Sequence, residues 1–143
     1  SFLDVFMRLQ AMDPADAPRA VKAGRQNDVV SSIGDRFSIA YSIPCDGVSA
    51  PASFEYINST QNATFRLRRL ASARCINSRT STAGPGDYDT VTFSGFGSWS
   101  RDSDVHLATV QISTSPEFPY IGIQIDGGIV SNVNTKPAEK PAP

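Results

Sequence analysis

The stretch Phe37-Ser38-Ile39-Ala40-Tyr41-Ser42-Ile43 places a large apolar side chain at every odd position and a small one at every even position. Successive side chains of a β-strand point to opposite faces, so a period of two specifies a strand with one buried face. The same alternation recurs at Ala63, Phe65 and Leu67 against Thr64, Arg66 and Arg68, at Val91 and Phe93, and at Ile121, Ile123 and Ile125 against Gly122, Gln124 and Asp126. Phe54 with Tyr56, and Ala71 with Ala73 and Cys75, repeat it more weakly. Val105 and Leu107 are odd whereas Ala108, Val110 and Ile112 are even, a change of parity that predicts a β-bulge near Leu107.

Turn chemistry separates these segments. Cys45-Asp46-Gly47, Ala83-Gly84-Pro85-Gly86-Asp87, Ser115-Pro116 and Asp126-Gly127-Gly128 all carry residues that reverse a chain. Seven or eight short strands so divided predict a mainly β domain over residues 28–133, an antiparallel two-sheet sandwich or jelly roll.

Ahead of that domain, Phe2, Val5, Phe6, Leu9 and Met12 recur at steps of three and four, the spacing of a short amphipathic N-terminal helix over residues 1–12. Asp13-Pro14 ends it, and residues 13–27 (DPADAPRAVKAGRQN) read as a polar connector. Residues 134–143 (NTKPAEKPAP) form a Pro-rich tail with no apolar side chain larger than alanine, which makes no core. So short a helix is marginal alone, and its stripe must dock on its own domain, on another copy or on a lipid surface. Helix and tail are expected to make contacts outside their own core, most simply with other copies.

Composition narrows the function classes. A formal net charge of −1 lacks the positive field that nucleic-acid binding needs. No apolar run approaches the roughly 18 residues that cross a bilayer, so no membrane span is expected. The chain begins at Ser1 without Met, which fits removal of a leader peptide and also fits a trimmed chain. Cys45 and Cys75 are the only cysteines and have no metal-ligand spacing, which favours a disulfide over two buried cytosolic thiols. Asn58-Ser59-Thr60 and Asn62-Ala63-Thr64 match the glycosylation pattern, so Asn58 and Asn62 are candidate acceptors. These signs suggest an extracellular, cell-surface or periplasmic location.

Charge is unevenly placed. Residues 56–86 hold Arg66, Arg68, Arg69, Arg74 and Arg79 and no acid, whereas 87–128 hold six acids, Asp87, Asp89, Asp102, Asp104, Glu117 and Asp126, against Arg101 alone. Paired across a sheet, these charges stabilise modestly; on separate faces, they would orient copies head to tail. The alternating Arg66 and Arg68 also suit capture of carboxylate or sulfate. Asp87 with Asp89, and Asp102 with Asp104, are carboxylate pairs that suit Ca²⁺, although neither lies in a twelve-residue calcium loop. No other cofactor is suggested.

His106 is the sole histidine, and no motif places a nucleophile beside it. Two acids such as Asp89 and Asp104 keep a small glycan-acting hydrolase as a third reading. Residues 93–100 (FSGFGSWS) concentrate aromatics among glycines: either Phe96 and Trp99 pack where glycine allows close approach, or Phe96, Trp99 and Tyr120 form an exposed platform for sugar rings. The first expectation is a secreted or cell-surface non-enzymatic module that self-assembles or meets another surface protein. The alternative is a carbohydrate-binding module with a polysaccharide partner, read by Phe96, Trp99, Tyr120, Arg66 and Arg68.

Overall fold

A computed structural model describes residues 20–77, 88–115 and 119–133. They form β1 (Val21–Val30), β2 (Arg36–Pro44), β3 (Ser53–Asn58), β4 (Ala63–Ile76), β5 (Thr90–Trp99), β6 (His106–Ser113), β7 (Tyr120–Ile125) and β8 (Gly128–Val133). Every strand pairs antiparallel with its neighbour in sequence, so the single sheet runs β1 to β8 in order. This up-and-down order has no crossover of the jelly-roll kind, and among the described residues there is no second sheet and no helix. Residues 1–12 and 134–143 lie outside the described residues, and with them the apolar stripe and the tail.

The sheet curls nearly into a barrel, with the alternating apolar side chains inside. Phe37, Ile39, Tyr41 and Ile43 of β2 meet Phe54, Tyr56, Phe65, Phe93, Val110, Ile112, Ile121 and Ile123 in one buried cluster. Trp99 packs edge-on against Phe65 at 5.4 Å and Tyr56 at 6.0 Å, closing one end of it. The two ends of the sheet approach each other through polar contacts. Ser32 N–H donates to Asn132 O at 2.8 Å, and Lys22 Nζ donates to Thr114 Oγ1 at 2.8 Å. Across the interior, Tyr56 Oη on β3 bonds Ser131 Oγ on β8 at 2.7 Å.

Three local features differ from the sequence reading. β1 takes in residues 21–27, so that part of the connector is strand; it is largely exposed and shows no clear alternation. The bulge expected near Leu107 is absent, because β6 pairs with β5 and β7 without a register shift. Val105 and Leu107 change parity because they are exposed, not because the strand turns over. Register shifts lie elsewhere: two in β4, between Leu67 and Arg69 and between Leu70 and Ser72, one in β1 between Gln26 and Val29, and one where β7 meets β8 at Ile123 and Gln124.

The turn after β7 follows its sequence. Asp126 and Gly127 have φ of +55° and +82°, the left-handed pair of a two-residue hairpin, which asparagine, aspartate and glycine adopt most readily. β3 is short, pairing β4 only as far as Arg66, and the rest of β4 overhangs it. There the Cys45–Cys75 disulfide ties the overhang to the end of β2, with Cα atoms 5.2 Å apart.

Candidate binding face

β4, β5, β6, β7 and β8 contain no aspartate or glutamate at all. The acids of residues 87–128 that are described sit at strand ends: Asp89 before β5, Asp102 and Asp104 after it, and Asp126 in the last turn. β5 starts at one end of the sheet and finishes at the other, so these acids are divided between the two ends and form no face. The arginines, by contrast, gather on one strand. Arg66, Arg68, Arg69 and Arg74 are all exposed along the outer side of β4.

The bulges produce that arrangement. Leu67 opposes Gly97, Arg69 opposes Phe96, Leu70 opposes Gly95, and Ser72 opposes Ser94, leaving Arg68 and Ala71 as extra residues. Each bulge turns two successive side chains outward and returns the next apolar one to the core. Their backbone presses onto β5: a Cβ at Gly95 would lie 2.5 Å from Arg69 O, and one at Gly97 2.2 Å from Arg66 O. The glycines among the aromatics therefore make room for the bulged strand.

Beside β4 the outer face carries hydroxyls and amides. One hollow of about 500 Å³ is lined by Ser72, Arg74, Ser94, Thr92 and Thr109 together with the apolar Ala73, Ile76 and Phe93. A second, of about 350 Å³, is lined by Thr64, Arg66, Arg68, Ser98, Trp99 and Ser100 with Leu67. Between them Arg69 stacks on Phe96, its guanidinium carbon 4.6 Å from the ring centroid. A smaller hollow of about 110 Å³ continues over Thr109, Gln111, Gly122 and Gln124 to Tyr120. Tyr120 lies over Gly122, where a Cβ would come within 2.5 Å of its Oη. Ser72 and Ser94 bond each other at 2.8 Å across the strands.

The three aromatics of the supposed platform are spread apart rather than gathered in one patch. Phe96 is on the outer face of β5, Trp99 packs toward the inner cluster, and Tyr120 lies two strands away on β7. Arg66 and Arg68 do come together with Trp99 at one hollow. Arg66 is held by its cross-strand partner Glu55, Nε to Oε2 2.7 Å. Arg69 and Arg74 were counted in the basic stretch but not assigned to the ligand site, and the hydroxyls of β5 and β6 were missed. Their signal was the polar half of the same alternation, Thr92, Ser94 and Ser98 on β5 and Thr109 and Gln111 on β6.

At one end of the sheet His106 Nδ1 lies 2.5 Å from Asp126 Oδ2, and Nε2 lies 3.3 Å from Asp102 Oδ1. The hydrogen bond to Asp126 chiefly, with help from Asp102 and against partial burial, raises the histidine pKa. In turn His106, opposed by desolvation and aided by the Leu107 N–H, lowers the pKa of Asp126. When protonated, a ring whose two nitrogens both face carboxylates donates from both and has no lone pair left to activate a nucleophile. Asp102 Oδ1 also accepts from Asp104 N–H at 3.0 Å, while Asp104 stays exposed. Asp89 Oδ1 accepts from Thr90 Oγ1 at 2.8 Å, and Asp87 lies outside the described residues. Among the described residues no three of His, Cys, Asp and Glu converge to hold a metal ion.

The two sequons differ in environment. Asn58 is buried, its Nδ2 donating to Asp35 Oδ2 at 3.1 Å and Tyr56 Oη at 3.0 Å, which leaves no free edge for a glycan. Asn62 is exposed in the turn before β4 with φ of +54°. Comparison with protein-family models, curated proteins and solved structures returns no match, so every statement of function rests on this geometry.

Proposed function

We propose that the domain is an exported, non-enzymatic binding module that engages a polysaccharide across the outer face of β4 to β7. The observation that carries the reading is that face itself, free of acids, lined with hydroxyls and amides, and hollowed along β4 and β5. Sugar recognition suits it, because hydroxyls and planar amides exchange hydrogen bonds with a ligand of the same kind. His106, held between two carboxylates, argues against hydrolysis. Self-assembly through complementary faces has less support, since the acids lie apart at strand ends and Arg66 is already paired with Glu55. Export is consistent with the disulfide.

The test is an NMR titration of the full chain with neutral and acidic polysaccharide fragments. Shifts concentrated at Thr92, Thr109 and Gln111 are expected, with the fragments recovered intact. Shifts confined to other strands, or fragment cleavage lost in His106→Ala, would defeat the reading.

A further inference from the structure

The arginine row on β4 narrows the ligand, and the following rests on the binding face just described. We infer that the domain binds a linear acidic polysaccharide along the β4–β5 groove, its carboxylates or sulfates taken by Arg68 and Arg74 and its hydroxyls by Thr92, Ser94 and Ser98.

Three observations lead there. First, the bulge between Leu67 and Arg69 keeps both Arg68 and Arg69 outside; strict alternation from Phe65 and Leu67 would drive Arg69 into the core. Second, the groove has two hollows, a mainly polar one beside Arg66 and Arg68 and another beside Arg74 that mixes hydroxyls with Ala73, Ile76 and Phe93, separated by the Arg69–Phe96 stack. Their cross-strand partners, Ser98 and Thr92, lie six residues apart on β5, about 20 Å at the usual strand rise, so a ligand that fills both must be extended. Third, the charge is unopposed along the groove: Glu55 balances Arg66, but Arg68 and Arg74 have no carboxylate partner among the described residues. Planar guanidinium groups bind carboxylate and sulfate oxygens in pairs, and charge-assisted bonds of this kind are the strong ones. Duplex nucleic acid fits less well, because the net charge of the chain is −1 and the basic strip is one strand wide.

Isothermal titration of the full chain against dextran sulfate, polygalacturonate, neutral dextran and duplex DNA decides the matter. Dextran sulfate or polygalacturonate should bind, the stronger of the two naming the anionic group, and neutral dextran should not. Arg68→Gln with Arg74→Gln should weaken binding by about tenfold or more with the melting temperature kept, since two charge-assisted contacts are lost. Arg25→Gln, which removes an equal charge per site from β1, should leave affinity as it was. Equal losses in Arg25→Gln and in the double variant would reduce the effect to bulk charge and overturn the inference. DNA binding as tight as either acidic polymer, lost in the same variants, would overturn it too. If neutral dextran binds, and the double variant binds it as the wild type does, the inference falls while the polysaccharide reading stands. If no polymer binds, both fall.

Discussion

Tyr56→Phe removes one oxygen atom and leaves the ring in place against Phe37 and Trp99, so it tests the hydrogen bonds of that oxygen, which links β3 to Ser131 and Val130 on β8 and accepts from Asn58. Ser131, wholly buried, loses the Oη 2.7 Å away, while Asn58 Nδ2 keeps Asp35 Oδ2 at 3.1 Å. The damage is thus the orphaned Ser131 hydroxyl and one Asn58 N–H that loses its acceptor, with the amide still anchored to Asp35. Leaving a buried polar group without its partner costs about 1–3 kcal/mol. For a chain of this length that corresponds to a drop of roughly 2–4 °C in Tm per kcal/mol. Adding Ser131→Ala removes the orphan, and replacing both partners by apolar groups is close to neutral. The double variant should therefore be less destabilised than the sum of the singles, with a coupling of at least about 0.5 kcal/mol. Urea unfolding of the four proteins measures it. A Tyr56→Phe change within about 0.5 kcal/mol, the range of an indifferent surface site, or strict additivity would refute the link between β3 and β8.

Ile123, fully buried on β7, should cost about 2–5 kcal/mol on Ile123→Ala by denaturant unfolding, and a change below about 0.5 kcal/mol would remove it from the core. Cys45→Ser with Cys75→Ser opens a loop of sequence separation 30, and should lose roughly 3–4 kcal/mol in the chain-entropy model, read as a lower urea midpoint. His106 has a raised pKa in the fold, so its stabilising contribution is complete below the unfolded histidine value near 6.5 and disappears as pH rises through the raised value. Asp126, lowered in the fold, contributes above the unfolded aspartate value and is lost as pH falls through its depressed one. Urea midpoints across pH should therefore show the wild-type advantage over His106→Gln shrinking on the alkaline side. A pH-independent difference would mean the ring is not held as an imidazolium.

The alternation at residues 37–43 and 121–125 was legible because burial of one face leaves a period of two in the sequence. The closure of those strands into one curled sheet was not, since two packed sheets and one curled sheet bury the same alternating face. β1 escaped notice for a related reason: it is mostly exposed, and VKAGRQNDVV has no apolar phase to read. Leu107 misled in the opposite sense, because parity of apolar residues tracks a face only when those residues are buried, and Leu107 is 42% exposed. Of the binding face, Arg66 and Arg68 were visible as residue types, but Arg69 and Arg74 join them only through bulges that exposed polar residues do not announce. The His106 contacts with Asp102 and Asp126 depend on two turns meeting at one end of the sheet, which no local pattern encodes.

The two bulges of β4 also set where that strand can change length. Arg68 and Ala71 have no counterpart on β5, so each amounts to an accommodated one-residue insertion. Deleting either would let the ladder close up, with Leu70 still opposite Gly95 and Cys75 still opposite Val91. Deleting Thr92 from the unbulged β5–β6 ladder would instead invert the strand on one side of the gap, sending Phe93 outward or the hydroxyls inward. Inherited insertions and deletions in β4 should accordingly cluster at those two points, and a chain shortened at Arg68 would keep its core and disulfide while losing one arginine of the row.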